Sequence, residues 1–217
     1  MKDVLKKLRL PLFFISTAVM ISVPKSVYAT KTTENASSFA GKLESAFGLK
    51  YATLKKELAP ILKDKSKLGV NLSEEQMISI YAYTAGAYKD LNSALRKGNK
   101  KEIDKTAFFA SSLDSALKAL PNYTGEVYRG TQLPPNVLKT YNVGSTVSDP
   151  AFLSTSVMGH YPGPHQMKIK SKTGKVISPF SSHPSEVEVL FAPNTKFKVV
   201  KISKNADNSV LFELEEQ

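Results

Sequence analysis

The chain has 217 residues, 41% of them hydrophobic and 23% charged, ordinary values for a globular protein with one main domain. It contains no cysteine, which excludes disulfide stabilisation, thiolate metal sites and cysteine catalysis. The formal net charge is +11 at pH 7, but the lysines are scattered, with no tight cluster and no aromatic interleaving, so nucleic acid is not an expected partner.

Residues 1–29 have the layout of a secretory signal peptide. Lys2, Lys6, Lys7 and Arg9 form a basic head, residues 10–23 are apolar apart from Pro11, Ser16, Thr17 and Ser22, and Val27-Tyr28-Ala29 suits cleavage after Ala29. The apolar run falls short of the roughly 20 residues a membrane span needs, and Pro24 and Lys25 follow it at once. Cleavage would leave 25 basic and 18 acidic residues, a net charge of +7, in a secreted chain without stable membrane insertion. Residues 30–72 are expected to form a tail and a helical extension, and residues 73–217 the main domain.

A helical pattern covers residues 39–65, with Leu43, Phe47, Leu54, Leu58, Ile61 and Leu62 as its apolar set and breaks at Gly48 and Pro60. Ser73 and Gln76 form a capping-box pair that opens a second helix. Its expected buried face holds Met77, Ile80, Tyr81, Thr84, Tyr88, Leu91 and Leu95, and Gly98 stops it. A third helix is expected over 101–120, with Ile103, Ala107, Ala110, Leu113, Leu117 and Leu120 on one face and Pro121 after it. The tyrosines on these faces read as core packing. Beyond Pro121 come short β-prone runs at 125–129, 146–147, 151–156, 166–169, 187–191, 196–202 and 210–214, separated by Gly, Pro and Ser. Helices followed by strands predict an α+β arrangement with mostly antiparallel sheets. The stretches 159–164 and 178–185 read as ordered functional loops or mobile lids rather than linkers.

Three features of the β-rich half carry chemistry. In His183–Phe191, Val187, Val189 and Phe191 alternate with Glu186, Glu188 and Leu190, the period of a strand with one apolar face. Two carboxylates would then lie side by side about 6.6 Å apart. They would repel by about 2.5 kcal/mol at an effective dielectric near 20. Such a face is either solvated or used. Tyr128-Arg129-Gly130 places a fork-shaped cation beside a glycine, a grip suited to phosphate. Phe152-Leu153-Ser154-Thr155-Ser156 puts two hydroxyls on one strand face. Taken singly, each of these is more often ordinary strand sequence.

In this order and spacing, Arg129, Ser154 and Glu186-Val187-Glu188 resemble the arginine–serine–glutamate signature of the mono-ADP-ribosyltransferases related to clostridial binary toxins and vertebrate ecto-enzymes. The segment from Tyr83 and Thr84 through Tyr88, Leu91-Asn92 and Leu95-Arg96 is similar to the helix preceding the catalytic sheets in that family. The likeness extends over about residues 72–214. It implies two perpendicular antiparallel β-sheets with an N-terminal helical portion, and NAD as co-substrate. It assigns Glu188, Glu186, Ser154 and Arg129 to catalysis, and Tyr128, Arg129, Gly130, Ser154 and Glu188 to NAD. Glu188 would hold the ribose 2′-hydroxyl, with Ser154 orienting it. Arg129 would bind the diphosphate, and Gly130 would offer its backbone to the nicotinamide amide. Glu186 would orient an acceptor guanidinium and take its proton, which implies an arginine-bearing target protein.

The same resemblance puts His160, Tyr161 and His165 in a loop touching phosphate and nicotinamide, and Phe180 and His183 in the target-recognising segment. No metal is expected, because His160 and His165 lack a third ligand. No G-x-G-x-x-G occurs, so a dinucleotide fold is not expected. Two alternatives stay open: an NAD glycohydrolase on the same fold, and a non-enzymatic basic binding protein.

Overall fold

The computed structural model describes residues 38–63, 69–159 and 162–217; the expected signal peptide at 1–29 and the loop residues His160 and Tyr161 lie outside the described residues. Helix α1 (Phe39–Phe47) starts where the Ser38 hydroxyl accepts the Gly41 amide at 3.1 Å, and ends at Gly48 in the left-handed region, φ 68°. Helix α2 (Tyr51–Lys63) follows and carries Pro60 inside it without ending there. Leu43, Leu54 and Leu58 are buried in the same core as the later helices.

The capping box opens α3 (Glu74–Ala82) as expected. Ser73 Oγ accepts the Gln76 amide at 3.2 Å, and Gln76 Oε1 accepts the Ser73 amide at 2.8 Å. The helix then breaks. Tyr83–Ala87 form one π-helical turn in which Gly86 stands at φ 140°, ψ −19°. Helix α4 (Tyr88–Lys97) resumes beyond it and stops at Gly98, φ 66°. Tyr88, the first residue beyond the kink, is 41% exposed, although its helical period predicts burial.

Helix α5 (Lys100–Ala119) is capped by Asn99, and its buried stripe is Thr106, Phe109, Leu113, Ala116 and Leu117. Ala107, expected on that face, is exposed. The stripe is rotated because Phe109 packs its ring on Phe47 of α1, centroids 4.9 Å apart, and the larger apolar group takes the core.

The β-rich half contains β1 (Gly125–Thr131), a short helix α6 (Pro135–Leu138), β2 (Thr146–Ser148), β3 (Leu153–Ser156) and β4 (His165–Ser171). It continues with β5 (Lys175–Val176), β6 (Glu188–Phe191), β7 (Lys196–Lys204) and β8 (Val210–Glu216). Their order is β2-β7-β8-β4-β1-β3-β6-β5, one unbroken ladder. All neighbours are antiparallel except β4 with β8. The two halves of the ladder meet at β1 and β3 through a single paired position, Tyr128 with Ser156. Beyond that pair the strands part, and the gap opens toward the helices.

Two cores flank this join. Phe152, Ile177, Phe180 and Leu190 pack into the helical core. Leu153, Val189 and Phe191 pack with Val127, Met167 and Phe212 on the other side. Strand β6 is therefore buried on both faces, not half-solvated. It is also shorter than its alternation predicts. Pro184–Glu186 form a 3₁₀ turn, and Val187 stands in the left-handed region at φ 45°. Proline cannot donate to a ladder, and the turn it starts takes Glu186 out of the strand. Among the described residues, no helix is long and apolar enough to cross a membrane.

Gly86 has open space around the position a Cβ would occupy, so a side chain there strains only the backbone. Gly86→Ala is expected to cost about 1–3 kcal/mol of folding stability, measured by urea unfolding. An unchanged midpoint would mean that the kink relaxes freely.

Candidate active site

Arg129, Ser154, Glu186 and Glu188 line one cleft of about 430 Å³ at the opening between β1 and β3. Each arrives by a different route. Strand β3 pairs antiparallel with β6, Ser156 opposite Glu188 and Ser154 opposite Leu190. The diagonal neighbour is within reach of a side chain, and the Ser154 hydroxyl donates to the Glu188 carboxylate. Thr155 donates to the Val189 carbonyl at 2.7 Å, and Ser156 to the Glu186 carbonyl at 2.7 Å. All three hydroxyls of the Ser-Thr-Ser run thus grip β6 or the turn that leads into it. Where β1 and β3 diverge, Arg129 reaches across and donates from Nη1 to the Ser154 carbonyl at 2.7 Å. One guanidinium thereby fixes the strand whose hydroxyl fixes the carboxylate.

Electrostatically the two carboxylates are unlike. Glu188 is 5% exposed, and burial pushes it up to about 7. The Ser154 hydrogen bond pulls it back, the charge of Glu186 pushes it up, and Arg129 pulls it down. Glu186 is exposed on its 3₁₀ turn. Burial, and then the neighbouring Arg96, hold the Arg129 guanidinium below its usual range. Arginine remains charged in proteins even so.

The helical wall of the cleft is a stripe at four-residue spacing: Thr84, Tyr88, Asn92 and Arg96, with Tyr83 behind it. Asn92 is buried; it donates to the Tyr83 hydroxyl at 3.0 Å and accepts the Phe152 amide at 3.2 Å, tying α4 to the approach of β3. Arg96 is held bidentate by Asp149, with Nε at 3.0 Å and Nη2 at 2.8 Å. A second cavity of about 420 Å³ adjoins the first and shares Arg96 and Arg129 with it. The two guanidiniums stand where the cavities meet, so an anionic group bridging them would lie between two forks.

Residues 26–217 match the family model of NAD:arginine ADP-ribosyltransferase. The chain belongs to that family. It is 36% identical over 152 residues to the NAD(+)–protein-arginine ADP-ribosyltransferase Tre1 of Serratia proteamaculans, covering 69% of this chain and 34% of that protein. The chain thus spans about a third of that relative's length. The type III effector XopAI of Xanthomonas axonopodis pv. citri has the same fold, with a TM-score of 0.68 at 23% identity over 87% of this chain and 88% of that one. The ADP-ribosyltransferase Vis from Vibrio splendidus, solved in complex with agmatine, matches with a TM-score of 0.58 at 25% identity, covering 78% of this chain and 86% of that one.

The other expected site residues take the following places in this ADP-ribosyltransferase-family chain. Tyr128 points from the opposite face of β1 to Arg129 and donates to Glu126 at 3.1 Å, and it is not part of the cleft wall. Gly130 is a mid-strand residue paired with Gln166 rather than a cleft-lining one. Gly163 lies against it: a Cβ there would stand 2.9 Å from the Thr131 amide nitrogen. His165 sits on β4, where Nδ1 accepts the Leu133 amide at 3.0 Å, a structural bond away from the cleft. Phe180 is 1% exposed in the helical core, so its ring anchors the loop and offers no surface to a target. His183 does line the cleft, beside Glu186. Tyr88, Asn92 and Arg96 were missed as site residues because an apolar helical period explained their neighbours. Their spacing of four, carrying polar groups, was the available signal.

The folded chain holds the Glu188 proton up to about pH 7, whereas an ordinary glutamate holds it only to 4.5. Stability tied to that proton is full below 4.5 and is lost as the pH rises through 7. Glu188→Gln keeps an acceptor for Ser154 without the charge. It is expected to melt several degrees above the wild type at pH 8, with the gap closing toward pH 4.5. Thermal unfolding across that range checks this, and parallel curves would contradict it.

Proposed function

We propose that this protein moves ADP-ribose from NAD to arginine side chains of a target protein and releases nicotinamide. The observation that carries the reading is the meeting of Arg129, Ser154, Glu186 and Glu188 in one cleft. NAD breaks between the ribose C1′ and the nicotinamide nitrogen, and the electron pair leaves with nicotinamide. The ribose becomes oxocarbenium-like. A buried carboxylate beside it stabilises charge that exists only in the transition state. Glu188 occupies that place, accepting the ribose 2′-hydroxyl while Ser154 keeps it oriented. Arg129, with Arg96 beside it, faces the diphosphate.

A protonated guanidinium is a poor nucleophile. Glu186, exposed at the mouth and free of the strand, orients the incoming guanidinium; it takes the proton as the guanidinium nitrogen bonds to C1′. The agmatine bound to Vis is a small guanidine of this kind, which supports the same acceptor class here. The leader-like pattern of residues 1–29 supports a secreted, toxin-like protein.

Incubating the protein with NAD and agmatine tests the assignment. Glu186→Gln is expected to lower transfer to agmatine by about 10²–10⁴-fold, the range of a lost general base, while nicotinamide release without acceptor falls far less. Glu188→Ala and Arg129→Ala are expected to lose both activities. Equal loss of transfer and hydrolysis in Glu186→Gln refutes its separate role, and nicotinamide release that agmatine never accelerates favours a glycohydrolase.

A further inference from the structure

The segment between β5 and β6 brings His183 and Glu186 to the cleft mouth, and residues 183–186 are exposed. Glu186 itself is fastened from behind: its amide donates to the His183 carbonyl at 3.1 Å, and its carbonyl accepts from Ser156. At the other end the segment is held to the helices by the buried Phe180 ring and, through hydrogen bonds, by one residue nearer the cleft. Thr84 Oγ1 accepts the Ser182 amide at 2.9 Å and the Ser182 hydroxyl at 3.1 Å, a contact between positions 98 apart in sequence. Thr84 directs its own proton back to the Tyr81 carbonyl at 3.0 Å. A hydroxyl has one proton and two lone pairs, and here all three are used. The chain of contacts goes on to His183, whose Nδ1 lies 2.9 Å from Ser182 Oγ and whose amide donates to Ser181 Oγ at 2.9 Å.

Thr84 lies within the π-helical turn broken at Gly86; its proton returns to its own helix, as a helical threonine's does, and its lone pairs are taken by Ser182. π-Turns of this kind concentrate at functional sites. The grip on Glu188 comes from elsewhere, from Ser154 and Arg129 on the strands. Glu188 is thus supported from the sheet, whereas Glu186 is held both by Ser156 of the sheet and, through Ser182, by the kinked helix.

We propose that Thr84 is a positioning residue for the acceptor side of the reaction: by pinning Ser182 it sets where His183 and Glu186 meet the incoming guanidinium. The proposal rests on the reading of Glu186 given above. A displacement of about 1 Å in a catalytic group can cost on the order of 100-fold in rate. Loss of the pin must then act on transfer and largely spare the cleavage of NAD.

The test uses the full chain and the Thr84→Val and Thr84→Ser variants. Valine keeps the branched shape without the hydroxyl, and serine keeps the hydroxyl. Thr84→Val is expected to lower transfer to agmatine about tenfold or more, with nicotinamide release in its absence falling much less, and Thr84→Ser to restore transfer. Hydrogen exchange of the Ser182 amide supplies a readout that needs no catalysis; it is expected to quicken in Thr84→Val and stay slow in Thr84→Ser. Equal loss of both activities, no loss of either, or unchanged exchange at Ser182 overturns the proposal. If the wild type cleaves NAD and never modifies agmatine, the acceptor reading fails, and the exchange result still decides whether Thr84 pins the segment.

Discussion

The hydrogen bond from Ser154 to a buried Glu188 is the constraint around which the remaining structure is arranged. A carboxylate removed from water is costly unless hydrogen bonds or positive charge compensate it. Here the compensation is partial. One hydroxyl and a nearby guanidinium leave Glu188 raised to about 7. A group in that state favours any positive charge that develops beside it, so the resting site is least satisfied where the proposed reaction generates an oxocarbenium-like ribose. Holding it there requires β6 to be packed from both sides, by Leu190 toward the helices and by Val189 and Phe191 toward the other core.

The second carboxylate is kept different by a local accident of chain geometry. In a regular strand Glu186 and Glu188 would share one face and one environment. Pro184 starts a 3₁₀ turn and Val187 adopts φ 45°, so only Glu188 enters the ladder. One acid becomes buried and the other remains in water. Carboxylates separated in this way can take separate tasks, because environment rather than identity sets their proton affinity.

Much of this was legible in the sequence where the signal is local. Ser73 with Gln76, Gly48 and Gly98 marked helix ends through capping chemistry that needs no tertiary partner. The strand runs were likewise readable from β-branched and aromatic residues between turn formers. The convergence of Arg129, Ser154 and Glu188 was not readable from periodicity; it came from the resemblance to the family. Periodicity failed where long-range packing overrode it. It could not show that Gly86 breaks the helix, that Phe109 outcompetes Ala107 for the core, or that β4 pairs with β8 in parallel. Strand β5, with two residues, is below the length at which alternation means anything. Phe180 falls in the target-recognising segment by resemblance to the family, yet its ring is held in the helical core.

The choice between the two kinds of cation in this chain follows from the same geometry. Of its 30 basic residues three are arginine: Arg9, Arg96 and Arg129. Both that fall among the described residues line the cleft, and lysine supplies positive charge everywhere else among them. Lysine serves where only charge and solubility are needed, as in the exposed pair of Lys100 with Asp104. The cleft asks for a planar fork. Arg96 spends two of its donors on Asp149, and Arg129 spends one on the Ser154 carbonyl. A guanidinium has five N–H groups, so each can be fixed by protein and still present donors to an anion. An ammonium has three, converging on one point charge, and lacks the planar fork that meets two oxygens side by side.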